Sequence, residues 1–163
     1  MFNAFQGNKY IYTESSGSNF PNKRAAIVSQ CLNLSGYSNP VLHFWYHMYD
    51  DPSVGPQPGQ GTLSVDISTN NGTTWTNDIW FRSGNQGNQW LEAIVDLSSY
   101  NSSEMLVRLR VITGLHWQSD VALDMLSIGG PITPNGVFLP IVADSGNHTL
   151  IYNIQGCSDV FVS

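Results

Sequence analysis

The stretch VLHFWYHMYD (residues 41–50) places His43, Trp45, His47 and Tyr49 at alternate positions. Four such groups on one side of an extended chain could do chemistry that a plain solvent row could not. Aromatic rings offer flat apolar area to the C–H faces of sugars. At about 3.3 Å per residue the row spans about 20 Å, long enough to follow an extended glycan. The histidines would add hydrogen-bond donors, and positive charge at mildly acid pH. The intervening Leu42, Phe44, Tyr46 and Met48 form an ordinary core row, because successive side chains of a strand point to opposite faces. The same text also fits a strand buried on both faces under loop 50–61, or a protein interface.

Other residues could join the row. Asp66 in TLSVDIST, and Arg108 and Arg110 in MLVRLRVIT, stand on the outward side of their strands by parity. Arginine presents a planar fork of donors that fits carboxylate or sulfate. If these three share one concave sheet with the aromatic row, the result is a groove for an extended polysaccharide, sulfated or uronic. Trp117, beside His116 in the loop GLHWQSD, either contacts a ligand or plugs the end of the fold. Trp90, heading WLEAIVDL, reads as core.

Asp124 is a carboxylate in the strongly apolar stretch VALDML. A lone buried carboxylate is costly, so it needs a cation or hydrogen-bond donors. Calcium takes oxygen ligands from carboxylates and carbonyls; Asp124, with Glu14 of YTESSGS as a second ligand, is the candidate pair for a structural Ca2+. Loop amides or an arginine would serve Asp124 equally well. His43 and His47 lie about 13 Å apart on a strand, too far to share a metal. No G-x-S-x-G or H-E-x-x-H motif occurs, and no catalytic role is expected.

The elements that must position these groups are strands. Alternating or apolar runs occur at 9–15, 25–34, 41–49, 62–69, 77–84, 90–97, 105–113 and 121–130, separated by Gly, Asn, Ser and Pro clusters. Asn71-Gly72 is a strong hairpin signal, and the prolines of 50–61 make that segment a loop. No apolar pattern of helical period lasts more than a turn or two. Many short strands at this spacing predict an all-β fold, a jelly-roll β-sandwich of two antiparallel sheets. Residues 1–130 form one module, and 131–163 either complete the sandwich or lead to a next module.

Only 11% of the 163 residues are charged, and the net charge is −6 with six Lys and Arg in all. That argues against nucleic acid as a partner, since such binding rests on basic side chains neutralising phosphate. No apolar run approaches the ~20 residues of a membrane span. Residues 1–10 show neither a basic start nor an apolar core, so no signal peptide is read there. The composition suits one module of a longer secreted protein. Cys31 and Cys157 are either bridged, which would stabilise by roughly 3–5 kcal/mol, or two separate thiols.

The order of pieces resembles a MAM domain, the extracellular module of meprins and receptor-type tyrosine phosphatases. YIYTESSGS, AAIVSQCLNLSGYSNPVLHFWYHMY, GTLSVDISTNNGTTW, IWFRSGNQGNQWLEAIVDLSSY, VRLRV and DVALDMLSIG carry the likeness, over about residues 9–128. DISTNNGTTW is similar to text in bacterial MAM-like modules of secreted proteins. The resemblance implies a jelly-roll sandwich, no catalysis, and a role in adhesion, dimerisation or binding. It also implies that Asp124 lies near a cation site found in some members. Animal members usually carry four cysteines where this chain has two, so their disulfide pattern and dimer interface do not transfer. Combined with the aromatic row, these features predict a carbohydrate-binding module of a secreted, multi-domain polysaccharide-active enzyme; the alternative is an adhesion or protein-interaction module.

Overall fold

The computed structural model describes residues 3–54, 59–100, 102–129 and 139–140. Its strands are β1 (Ile11–Tyr12), β2 (Arg24–Val28), β3 (Val41–Met48), β4 (Thr62–Ser68), β5 (Thr76–Ser83), β6 (Leu91–Asp96), β7 (Leu106–Ile112), β8 (Val121–Gly129) and β9 (Leu139–Pro140). Sheet A runs β1-β8-β3-β6, with β9 also on β8, and sheet B runs β2-β7-β4-β5. All pairings are antiparallel. From β1 to β8 the chain changes sheet at every connection except β4–β5. The result is the predicted all-β jelly-roll sandwich. No helix among the described residues is long and apolar enough to cross a membrane.

Alternation decides which way each strand faces. Leu42, Phe44, Tyr46 and Met48 of β3 are buried, as are Leu63, Val65 and Ile67 of β4 and Val107, Leu109 and Val111 of β7. Each such side chain contributes roughly 1.5–3 kcal/mol by leaving water. Trp80 of β5 closes the layer edge-on against Phe44 and Tyr46, with centroids 5.3 and 5.4 Å away. Truncating Phe44, which has no exposed surface, would cost roughly 3–5 kcal/mol through the cavity left behind.

Two local features set geometry. The β4–β5 connection turns at Asn71 (φ 51°) and Gly72 (φ 83°), left-handed positions that Asn and Gly tolerate. In β8 the register slips between the partners of His43 and Trp45, and Met125 (φ 53°) is the extra residue. This bulge lets Leu123 and Leu126 both point into the core while Asp124 faces outward. Cys31, just beyond β2, is disulfide-bonded. Cys157 lies outside the described residues, as does all of 131–163 apart from Leu139–Pro140.

Candidate functional site

The outer face of sheet A is built around β3. In register, Trp45 lies between Glu92 of β6 and Asp124 of β8, and His43 lies between Ile94 and Ser127. The odd-numbered row faces outward as parity predicts, yet it is not an open trough. Phe5 stacks on Trp45, with centroids 3.7 Å apart and planes within 13°. The same N-terminal stretch is pinned twice more: Trp90 Nε1 donates to the Asn3 carbonyl at 3.0 Å, and the Gln6 amide donates to Asp124 Oδ2 at 3.1 Å. Trp90 is therefore part of this outer layer and not of the core.

His47 is buried, with Tyr49 and Trp90 edge-on at 6.3 and 5.7 Å. Burial pushes its pKa below the ordinary 6.5, and a 3.3 Å contact with Asn88 Oδ1 opposes part of that shift. His43 Nε2 meets Glu92 Oε1 at 2.7 Å. So the chain's own residues take up one face of Trp45 and nearly all of His47. The large apolar side chains that remain exposed here are Ile94, Phe5 and Met125, and the carboxylates of Glu92 and Asp96 are exposed as well.

Asp66, Arg108 and Arg110 do not join this row. They stand on β4 and β7 of sheet B, whose outer face looks the opposite way. The expectation of one concave surface is corrected here, because parity fixes inward against outward but not which sheet. Asp66 is fully buried and accepts from Arg108 Nε (2.8 Å), from Arg110 Nε (2.8 Å) and Nη2 (3.0 Å), and from the Asp78 amide (2.9 Å). Burial alone would raise its pKa, but the bonds from Arg110, the Asp78 amide and Arg108 outweigh it and hold it at about 2, below 3.8. Arg110 also reaches Asp78 at 2.7 Å, and Arg108 lies 4.0 Å over the Trp75 ring while bonding Asn77. These forks are already committed within the protein.

The proposed calcium pair is likewise not assembled. Both oxygens of Asp124 accept backbone amides, Oδ2 from Gln6 and Oδ1 from Met125 at 2.8 Å. Glu14 is exposed and accepts from the Ser16 amide at 2.8 Å. The β1–β8 pairing of Ile11 with Leu123 puts Asp124 level with Tyr10 and Glu14 level with Asp120. The two residues thus stand four strand positions apart along the edge, about 13 Å of backbone. No cluster of three or more His, Cys, Asp or Glu suited to a metal occurs among the described residues.

Trp117 lies in the β7–β8 loop, half exposed, with its carbonyl accepting from Ser15 Oγ at 2.8 Å. It belongs to the loop end of the sandwich. Beneath it His116 is buried, 3.9 Å from the enclosed carboxylate of Asp50, which accepts the Gly59 amide at 2.5 Å.

Sequence reasoning missed a segregation of charge. All the arginines, Arg24, Arg82, Arg108 and Arg110, lie on sheet B strands. The strands of sheet A hold no Lys or Arg but carry Glu92, Asp96 and Asp124. The signal was present in the strand text; reading it required knowing which strands share a sheet.

Among the described residues, the fold is a jelly-roll sandwich in which Arg108 and Arg110 pair with Asp66. The profile of the MAM domain, meprin/A5/mu, matches residues 3–131, and the chain belongs to this family. It is similar to Neuropilin-1 of Xenopus laevis, 31% identical over 138 residues that cover 85% of this chain and 14% of that protein. It is also similar to MAM domain-containing glycosylphosphatidylinositol anchor protein 2 of Mus musculus, 30% identical over 73% of the chain and 12% of the relative. MAM domain-containing protein 2 of Homo sapiens is 28% identical over 71% of the chain and 15% of the relative. The chain therefore spans about one-seventh of the length of these relatives.

Proposed function

We propose that this chain is an adhesion-type interaction module of a longer extracellular protein, and that the outer face of sheet A docks a partner protein. The observation that carries this reading is the exposed set Ile94, Met125 and Phe5 on a sheet whose strands bear acids and no basic residue. Exposed apolar groups that share a face mark interaction surfaces, and aromatic residues and Met are enriched there. A fitting partner offers an apolar centre flanked by Lys or Arg that face Glu92 and Asp96. Family membership and the glycosylphosphatidylinositol-anchored relatives support an extracellular setting. No catalytic role is part of the proposal.

Two observations weigh against the carbohydrate reading. Sugar C–H faces need free ring faces, and Phe5 already stacks on Trp45. An anionic glycan needs free guanidinium forks, and those of Arg108 and Arg110 are engaged on the opposite sheet. The test is an array of extracellular protein ectodomains probed with wild type and Ile94→Arg side by side. Affinity electrophoresis in agar, alginate, carrageenan and fucoidan gels is the counter-assay. Binding to ectodomains that Ile94→Arg abolishes supports the proposal. Gel retardation that Trp45→Ala removes, without ectodomain binding, overturns it.

A further inference from the structure

Among the described residues β1 and β2 are edge strands of the two sheets, and a cleft of about 440 Å³ lies between them, lined by Ile11, Ile27, Leu109, Val111 and Leu123 among others. β2 pairs only with β7 there, and all five of its residues are exposed. The bonds to β7 fix which backbone groups are spare. The Thr113 amide donates to the Lys23 carbonyl at 2.9 Å and the Ser29 amide to the Val107 carbonyl at 2.8 Å, both continuing the β2–β7 register. In an antiparallel ladder every second residue bonds to a given neighbour. The N–H and C=O groups of Arg24, Ala26 and Val28 therefore point away from β7, and no hydrogen bond of theirs on that side is present. The side chains of Ala25 and Ile27 turn inward with their register partners, the core residues Val111 and Leu109. Lys23 and Arg24 stand at one end of this edge, and neither takes part in an ion pair. Glu14, on the β1 side of the cleft, accepts the Ser16 amide instead.

We propose that this edge takes up an extended segment of a partner protein as an added antiparallel strand, with apolar side chains at alternate positions and a carboxylate opposite Arg24. A row of spare main-chain donors and acceptors templates strand addition, and the bonds it offers can be met by any extended chain. Specificity then comes from side chains. Guest residues opposite Ala25 and Ile27 point into the apolar cleft and must themselves be apolar. The guest residue opposite Arg24 faces a guanidinium that has no carboxylate of its own, so an acid is favoured there. A second copy of this chain fits the edge worse. RAAIV paired with itself about Ala26 sets Val28 opposite Arg24 and leaves both arginines without a counter-charge. The surface is independent of the sheet A face around Ile94, which lies on β6 at the far edge of that sheet.

The probes are acetylated, amidated pentapeptides of pattern x-apolar-x-apolar-Glu and the same set ending in Lys, titrated into the isotope-labelled full chain. Members of the Glu set should shift the β2 amides and slow exchange at Arg24, Ala26 and Val28 at least tenfold. They should bind about threefold or more tightly than their Lys counterparts, and Arg24→Glu should invert that preference. Ala26→Pro removes a donor that faces the open edge and no bond to β7, which an edge strand tolerates; it should leave the fold intact and abolish binding. Failure of every peptide to shift β2 overturns the proposal, as does equal binding of the two sets or a preference that Arg24→Glu leaves unchanged. Slow exchange at Arg24, Ala26 and Val28 in the chain alone also overturns it, because the edge is then already covered. Where that protection grows with protein concentration, the occupant is a second copy.

Discussion

Replacing Asp66 with Asn tests the electrostatic account of sheet B. The carboxylate is enclosed and serves two guanidinium groups and one backbone amide. Its pKa is about 2 in the fold against an ordinary 3.8. A depressed folded pKa gives stability that is complete above the unfolded value and is lost as pH falls through the folded one. The difference corresponds to about 2 kcal/mol, and screening at the partly exposed guanidinium groups lowers it to roughly 1–2 kcal/mol. At neutral pH, Asp66→Asn also leaves two largely buried cations without their counter-charge, so a loss of about 3 kcal/mol is expected. The assay is urea denaturation of both proteins from pH 7 to pH 2. The gap between them should be widest at neutral pH and narrow by roughly 1–2 kcal/mol between about pH 5 and pH 2. A gap under about 0.5 kcal/mol at pH 7, or one constant across the range, would refute the reasoning.

Three further outcomes follow from other contacts. The neutral form of His47 is favoured by burial, so its folded pKa lies below the ordinary value. Stability should therefore fall as pH drops through 6.5, and denaturation profiles of His47→Gln should lose that part of the slope. A Cβ at Gly114 would sit 1.9 Å from the Gly59 carbonyl oxygen, so Gly114→Ala should destabilise by about 3 kcal/mol in thermal or urea melts. Phe5→Ala should cost about 1 kcal/mol through the lost stack and move tryptophan emission to longer wavelength as Trp45 meets water.

Strand text made the fold legible. The rows Leu42, Phe44, Tyr46, Met48 and Leu63, Val65, Ile67 are buried as alternation requires, because a period of two assigns each side chain a face. Sheet membership was not legible. Crossing connections put β3 in sheet A while β4 and β7 fell in sheet B, so outward residues that looked like neighbours ended on opposite sides of the molecule. The N-terminal stretch that caps Trp45 carries no period that would announce its docking. Asp124 stood out as a carboxylate in need of a cation or donors; the amides of Gln6 and Met125 donate to it. The Met125 bulge turns it outward, a register shift that no pattern in VALDMLSIG announces.

The most direct measurement compares two single substitutions on opposite faces. Ile94 of sheet A and Phe81 of sheet B are both more than half exposed, so Ile94→Arg and Phe81→Arg should each leave the fold intact. Titrated against an ectodomain that binds the wild type, Ile94→Arg should weaken affinity at least tenfold while Phe81→Arg leaves it unchanged. Equal loss from both, or loss from Phe81→Arg alone, would contradict the assignment of the docking surface to sheet A.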